Sequence, residues 1–202
     1  WASLQLGGPE RAVSFSVPTG NFGNVYAAHG ARCMGLPIEQ LIIGTNRNDI
    51  LHRFFETGTM STETVVPTIS PSMDIQISSN FERYLFDLLG RDGAALEAAM
   101  TGFRGTGRLT VTAPQLAEAR DRFRTHRVDD DGIRDRIRST FAETGLVVDP
   151  HTAVALAATG AATGARASAG RAPMVTLACA HPAKFPDAVE AAIGRRPPLP
   201  DA

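Results

Sequence analysis

The sequence predicts an α/β fold, with a mostly parallel sheet as the middle of three layers and helices on both faces. Two observations predict it. Short apolar runs suited to buried parallel strands occur at Ala12–Val17, Leu41–Gly44 and Met174–Cys179. Segments with helical spacing and helical end signals alternate with them, which is the βαβα order of a parallel sheet. The 202 residues, 43% apolar and 20% charged, are enough for a sizeable core.

Trp1–Leu6 reads as the last turn of a helix closed by Gly7-Gly8, so a segment upstream of Trp1 is expected. Pro18-Thr19-Gly20 breaks the first strand, and Phe22 to Met34 reads as a helix ending at Gly35. After the second strand, Asn48–Thr57 reads as a helix with Asn48 and Asp49 as cap candidates and Gly58 as its stop. Thr59–Ser72, rich in Thr, Ser and Pro, is expected to be loop. Ser79-Asn80-Phe81-Glu82 has the form of a capping box and opens a helix to Leu89. Gly102–Gly107 reads as flexible.

Thr112-Ala113-Pro114-Gln115 opens a helix through Phe123. Asp129-Asp130-Asp131 caps another that carries Ile133, Ile137 and Phe141 and stops at Gly145. Asp149-Pro150 starts an alanine-rich helix. Gly160–Gly170, low in complexity, is expected to be a loop. Pro186–Ile193 forms a last helix stopped at Gly194. The expected organisation is one α/β domain over residues 1–194 and a linker over 195–202, which begins Arg195-Arg196-Pro197-Pro198.

Composition excludes several functions. A net charge of -1 argues against a nucleic-acid-binding body, whose phosphate contacts need a basic excess. No apolar run is long enough to span a bilayer. Cys33 and Cys179 stand far apart and suggest no disulfide framework. The histidine and cysteine spacing fits no metal site. Of 20 basic residues only Lys184 is a lysine.

Three stretches could carry chemistry. Gly20-Asn21-Phe22-Gly23-Asn24 lies between a strand and a helix. Its glycines permit close backbone approach, consecutive N–H groups and a helix N-terminus favour an anion, and Asn21 and Asn24 can donate further bonds. This suits a phosphate monoester without a lysine, although the same residues also suit an ordinary turn. It matches neither a P-loop nor the dinucleotide fingerprint. Cys179 ends a strand and could wall a site at the sheet's carboxyl edge. It could equally be a small core residue. His181, before a proline, reads as a turn residue. Ser70–Ile75 with Ser78–Arg83 groups hydroxyl, amide and guanidinium functions beside a helix start, and could hold a second anion or be a capped helix with a solvated Arg83.

Together and in order, VPTGNFGN (17–24), MGLPIEQLIIGTNRNDILHRFFETG (34–58), SPSMDIQISSNFERYLFDL (70–88), DPHTAVALA (149–157) and LACAHPAKFPDAV (177–189) resemble threonine synthase, a fold-type-II enzyme using pyridoxal 5′-phosphate. The resemblance covers most of the chain apart from about 91–127 and 159–172. It implies part of a tryptophan-synthase-β-like fold. Gly20, Asn21, Phe22, Gly23 and Asn24 would hold the cofactor phosphate, and Cys179 would face the pyridine nitrogen where the family usually has threonine. Asn80 and Arg83 would be candidates for the substrate phosphate.

The implied reaction converts O-phospho-L-homoserine and water into L-threonine and phosphate, in the cytoplasm, with no nucleic-acid or membrane partner. The Schiff-base lysine of the family lies in an upstream T-x-A-F-K-D-like segment that this chain lacks. Lys184 falls in HPAKFP, whose lysine does not serve that role. No catalytic residue is therefore expected within the chain, and the N-terminal remainder of the enzyme is an expected partner. Two other readings stay open: a non-catalytic module binding a phosphorylated ligand, and another fold-type-II reaction such as serine or threonine deamination.

Overall fold

A computed structural model describes residues 1–163 and 172–200. Helix α1 (Ala2–Gln5) precedes strand β1 (Val13–Pro18), α2 (Gly23–Cys33), β2 (Ile38–Thr45) and α3 (Ile50–Thr57). Then come β3 (Thr59–Ser61), α4 (Phe81–Leu88), α5 (Gly93–Thr106), β4 (Arg108–Thr110), α6 (Ala113–Arg122) and β5 (Phe123–Arg127). The remaining elements are α7 (Asp130–Thr144), α8 (Pro150–Thr163), β6 (Met174–Thr176) and α9 (Pro186–Ile193), with 3₁₀ turns at Pro71–Met73 and Pro182–Lys184.

Four strands form a parallel sheet in the order β5-β2-β1-β6. Phe15 lies opposite Leu41 on one side and Val175 on the other, so β1 is central. All four run the same way, and their carboxyl ends share one edge. Period-two alternation sends Val13, Val17, Leu41 and Ile43 to one face, where they join Phe22, Val25, Phe54, Phe81, Tyr84 and Phe123. Helix α8 covers the other face. The Ser16 hydroxyl donates to the Ala155 carbonyl at 2.8 Å. A Cβ at Gly44 would lie 3.0 Å from Val154 Cγ1 and 3.1 Å from its carbonyl oxygen, so only glycine lets α8 approach β2 this closely. Ala153 and Val154 join Ile133, Ile137 and Ala192 from α7 and α9 in a second, smaller core. The three-layer α/β arrangement is therefore present. Among the described residues no helix is long and apolar enough to cross a membrane.

Several local expectations change. Thr59–Ser61 is a strand, because it pairs antiparallel with Arg108–Thr110 some 50 residues away. Gly102–Gly107 is helical as far as Thr106. Asp92 accepts from the N–H groups of Ala94 and Ala95, and Phe103 anchors the helix in the core. The Ser79–Glu82 capping box does not form: Asn80 is the N-cap of α4, and the Ser79 hydroxyl donates elsewhere. Asp49 likewise makes no cap bond and instead holds Arg53 and Arg127. Residues 160–163 belong to α8, whereas 164–170 of the expected loop lie outside the described residues. The linker expected from Arg195 onward is held at its start. Arg195 lies over the Phe141 ring at 4.5 Å, and Arg196 pairs with Asp187 and Glu190.

Candidate functional site

Strand β1 carries Pro18 and Thr19 to the carboxyl edge, where the Thr19 N–H still donates to the Gly44 carbonyl at 2.8 Å. The chain then turns into α2. Phe22 makes this turn at φ 64°, ψ 6°, a left-handed conformation that is uncommon for a bulky residue and costs of order 1–3 kcal/mol. Its ring secures the conformation. The side chain is 1% exposed and packs on Phe81, Tyr84 and Phe123 at centroid distances of 5.2, 5.9 and 5.7 Å. Burial worth about 1.5–3 kcal/mol, with about 0.5–1.5 kcal/mol for each well-placed aromatic pair, outweighs the strain.

The turn leaves donors over. Among the described residues, no protein acceptor takes the N–H groups of Gly20 through Val25; the first helical bond runs from the Tyr26 N–H to the Phe22 carbonyl at 3.0 Å. Asn21, Gly23 and Asn24 are exposed. A run of unbonded N–H groups opening a helix is an anion cradle, because the donors and the helix dipole act together.

The 70–80 stretch braces this cradle by taking its carbonyls. The Ser78 hydroxyl donates to the Gly20 carbonyl at 2.7 Å, and the Asn80 N–H and side-chain amide each donate to the Asn21 carbonyl at 3.0 Å. The Ser79 hydroxyl donates to Asn21 Oδ1 at 3.3 Å. A Cβ at Gly20 would sit 3.2 Å from Met73 Cα and 3.3 Å from the Ser72 carbonyl oxygen, so glycine is what admits this backbone. The stretch is tied to the sheet edge by Asn46, fully buried after β2, which donates to Ser70 Oγ at 2.9 Å and Asp74 Oδ1 at 2.8 Å.

Because β6 neighbours β1, the segment after β6 returns beside the cradle. Asn24 Nδ2 donates to Cys179 Sγ at 3.9 Å. Behind Cys179 lies a buried cluster at the start of α8. Asp149 accepts from the His151 N–H at 2.9 Å and from His151 Nδ1 at 2.8 Å, and the Thr152 hydroxyl donates to its other oxygen. Thr152 Oγ1 accepts from the Cys179 N–H at 3.3 Å, and His151 Nε2 accepts from the Ser72 N–H at 3.2 Å. That last bond assigns the His151 proton to Nδ1.

Partial burial raises the thiol of the otherwise exposed Cys179, the Asp149 charge raises it further, and the Asn24 amide only partly opposes them. The group is therefore an uncharged thiol at neutral pH. Burial alone would also raise Asp149, but the hydrogen bonds from His151 and Thr152 win and hold it below the ordinary carboxylate range. A depressed folded-state value means that the stability from ionised Asp149 is complete above the unfolded value of about 4. It is lost as pH falls through the lower folded value. Asp149→Asn is accordingly expected to cost about 3 kcal/mol at pH 7. Denaturant unfolding at a series of pH values should show the gap to wild type closing below about pH 4.

The structure thus brings Gly20–Asn24, Asn80 and Cys179 together. Asn80 spends its amide on the cradle's backbone. Arg83 is exposed on the outer side of α4 and lines a groove of about 510 Å³ with Tyr26, Ser79, Glu82 and Phe86. Lys184 is exposed in the Pro182–Lys184 turn, which His181 caps by accepting from the Ala183 N–H at 3.1 Å. Among the described residues no cluster of metal-ligating side chains occurs. Ser78 lies in the stretch expected to hold a second anion and instead braces the cradle; sequence reasoning missed Asp149, His151 and Thr152. The available signal was an acid, an imidazole and a hydroxyl within four residues of one quoted block.

Pyridoxal 5′-phosphate fits these residues on two counts. A phosphate monoester needs convergent neutral donors, which the cradle supplies, and a pyridine nitrogen can be met by an uncharged thiol at the cradle's rim.

Known proteins resemble this chain in sequence and in fold. A family model described as threonine synthase, C-terminal, matches residues 152–202. The threonine synthase of Pseudomonas aeruginosa is 50% identical over 200 residues, covering 98% of this chain and 42% of that protein. A PLP-bound threonine synthase from Brucella melitensis superposes with a TM-score of 0.92 at 51% identity, over 98% of this chain and 42% of that one. The yeast threonine synthase structure gives 0.88 at 34% identity, over 95% and 40%. The chain therefore spans about two fifths of the relatives it matches.

Proposed function

We propose that this chain, which resembles the C-terminal part of threonine synthase over nearly all of its length, forms the cofactor-phosphate side of a threonine synthase active site. The reaction served is the conversion of O-phospho-L-homoserine and water into L-threonine and phosphate. The observation that carries this reading is the contact between Asn24 and Cys179, which joins the N–H cradle to the thiol at the carboxyl edges of two adjacent parallel strands.

In this reading the N–H groups of Gly20 through Val25 bind the phosphate of pyridoxal 5′-phosphate, and Asn21 and Asn24 add amide donors. Ser78 and Asn80 keep the cradle's carbonyls occupied, so they do not face the anion. Cys179 meets the ring nitrogen without a charge of its own, which moderates the ring. When bound, the cofactor supplies an electron-withdrawing ring that eases proton removal from the α and β carbons of an amino acid. Arg83 is our candidate for the substrate phosphate; Asn80 serves the cradle first. We place residues 1–194 in one α/β unit of the site. We place the protein in the cytoplasm, since both cysteines are free, exposed thiols.

The proton-moving lysine has no candidate here, because Lys184 is exposed in a capped turn. Binding is thus expected without turnover. Pyridoxine 5′-phosphate, which has no aldehyde to react with amines, is expected to bind saturably by its fluorescence, and pyridoxine without phosphate at least tenfold more weakly. With pyridoxal 5′-phosphate and O-phospho-L-homoserine, the chain is expected to release no phosphate above background. Equal binding of the two vitamers, or robust phosphate release, would contradict this reading.

A further inference from the structure

We infer that Asp149, His151 and Thr152 are positioning residues that lock the two walls of the cofactor site to each other. The inference rests on the proposed function and deepens it. One wall is the Ser70–Asn80 stretch, which presses against Gly20 and takes the carbonyls of Gly20 and Asn21. The other is the segment carrying Cys179. They lie about 100 residues apart in the sequence, and the path between them runs through one buried carboxylate.

The Ser72 N–H donates to His151 Nε2, His151 Nδ1 donates to Asp149, the Thr152 hydroxyl donates to Asp149, and the Cys179 N–H donates to Thr152. Each group has one role that the others dictate. Thr152 has one hydroxyl proton; giving it to Asp149 leaves its oxygen to accept from Cys179. His151 gives its one ring proton to Asp149 and so accepts from Ser72. All three residues are at most 5% exposed. Phe185, beyond Cys179, closes over the His151 ring at 4.7 Å. A buried carboxylate with every donor committed has no slack, so a shift at either wall must break a bond.

A helix cap alone would need only Asp149 and the N–H groups of His151 and Thr152. The imidazole and the hydroxyl extend the cap outward to the two loops, and this extension has no part in starting α8.

The test uses the chain with Cys33→Ser, so that Cys179 is the only thiol, and follows its modification by Ellman's reagent with and without pyridoxine 5′-phosphate. In this parent the ligand is expected to slow modification at least tenfold. Thr152→Val, which keeps the shape and removes the hydroxyl, is expected to cut protection below twofold at the same ligand concentration, and Thr152→Ser to restore it. Protection of Thr152→Val equal to the parent's would overturn the inference alone. An unprotected parent would overturn the proposed function and the inference with it. If Thr152→Val does not fold, amide hydrogen exchange of the unsubstituted chain decides: a Cys179 N–H held by Thr152 exchanges slowly, and exchange at the rate of an open loop overturns the inference.

Discussion

Gly23→Asp is expected to weaken binding of pyridoxine 5′-phosphate by about a hundredfold or more while leaving the fold intact. The position opens α2, and a Cβ there would meet Asn80 Nδ2 at 3.4 Å, which is ordinary contact. The backbone is not left-handed at this residue, so the side chain adds no strain. A carboxylate in the first turn favours the helix dipole by about 0.3–1 kcal/mol, and thermal unfolding should show stability unchanged or raised. The same carboxylate competes for the N–H groups of the cradle and repels the incoming phosphate. Like charges placed together at a binding site cost several kcal/mol, and about 2.8 kcal/mol is already a factor of 100. Loss of binding with a stable fold separates a cradle from a mere turn. Binding that survived the substitution would mean that the phosphate lies elsewhere.

Phe22→Ala should do the reverse first: destabilise the whole chain, and lose the site as a consequence. The ring is 1% exposed among three other aromatic rings, and removing such a ring typically costs about 3–5 kcal/mol. For a chain of this size that corresponds to a fall in Tm of roughly 10 °C. Alanine would inherit the left-handed turn without the packing that secures it. Differential scanning calorimetry gives the stability, and titration well below the new Tm gives the binding. Unaltered Tm would show that the aromatic cluster does not hold the turn.

These two neighbours illustrate what was legible in the sequence. The cradle could be read from Gly20–Asn24 because its chemistry is local: glycines, a strand before, a helix after. What makes Phe22 hold its conformation could not, because Phe81 and Tyr84 arrive from α4 and Phe123 from β5, both distant in the sequence. Strands β1 and β2 announce themselves as apolar runs, since they lie buried in the middle of the sheet, and β6, half-buried at one edge, keeps the apolar MVT run. Strand β5 does not. Its FRTHR sequence sits at the sheet edge, paired only with β2, and only Phe123 is buried. Helix α5 was hidden by Gly93, Gly102 and Gly105, whose cost is met by the Asp92 cap and by Phe103 and Met100 packing on the core.

The Asp149-His151-Thr152 cluster shows the same limit at the site. Asp149-Pro150 correctly marks a helix start, and as a local signal it says nothing more. It does not show the reach to Ser72 and Cys179, which the parallel order of β1 and β6 and the packing of α8 bring within hydrogen-bonding range.

The central claim is that Gly20 through Val25 and Cys179 form one phosphate-and-ring site. Backbone amide NMR on the labelled chain, titrated with pyridoxine 5′-phosphate, tests it most directly. The expected result is a saturable set of shifts concentrated on the amides of Gly20 to Val25 and on Cys179, with the six cradle amides moving on inorganic phosphate as well. Saturable shifts confined to another surface, with Gly20 to Val25 unmoved, would contradict it.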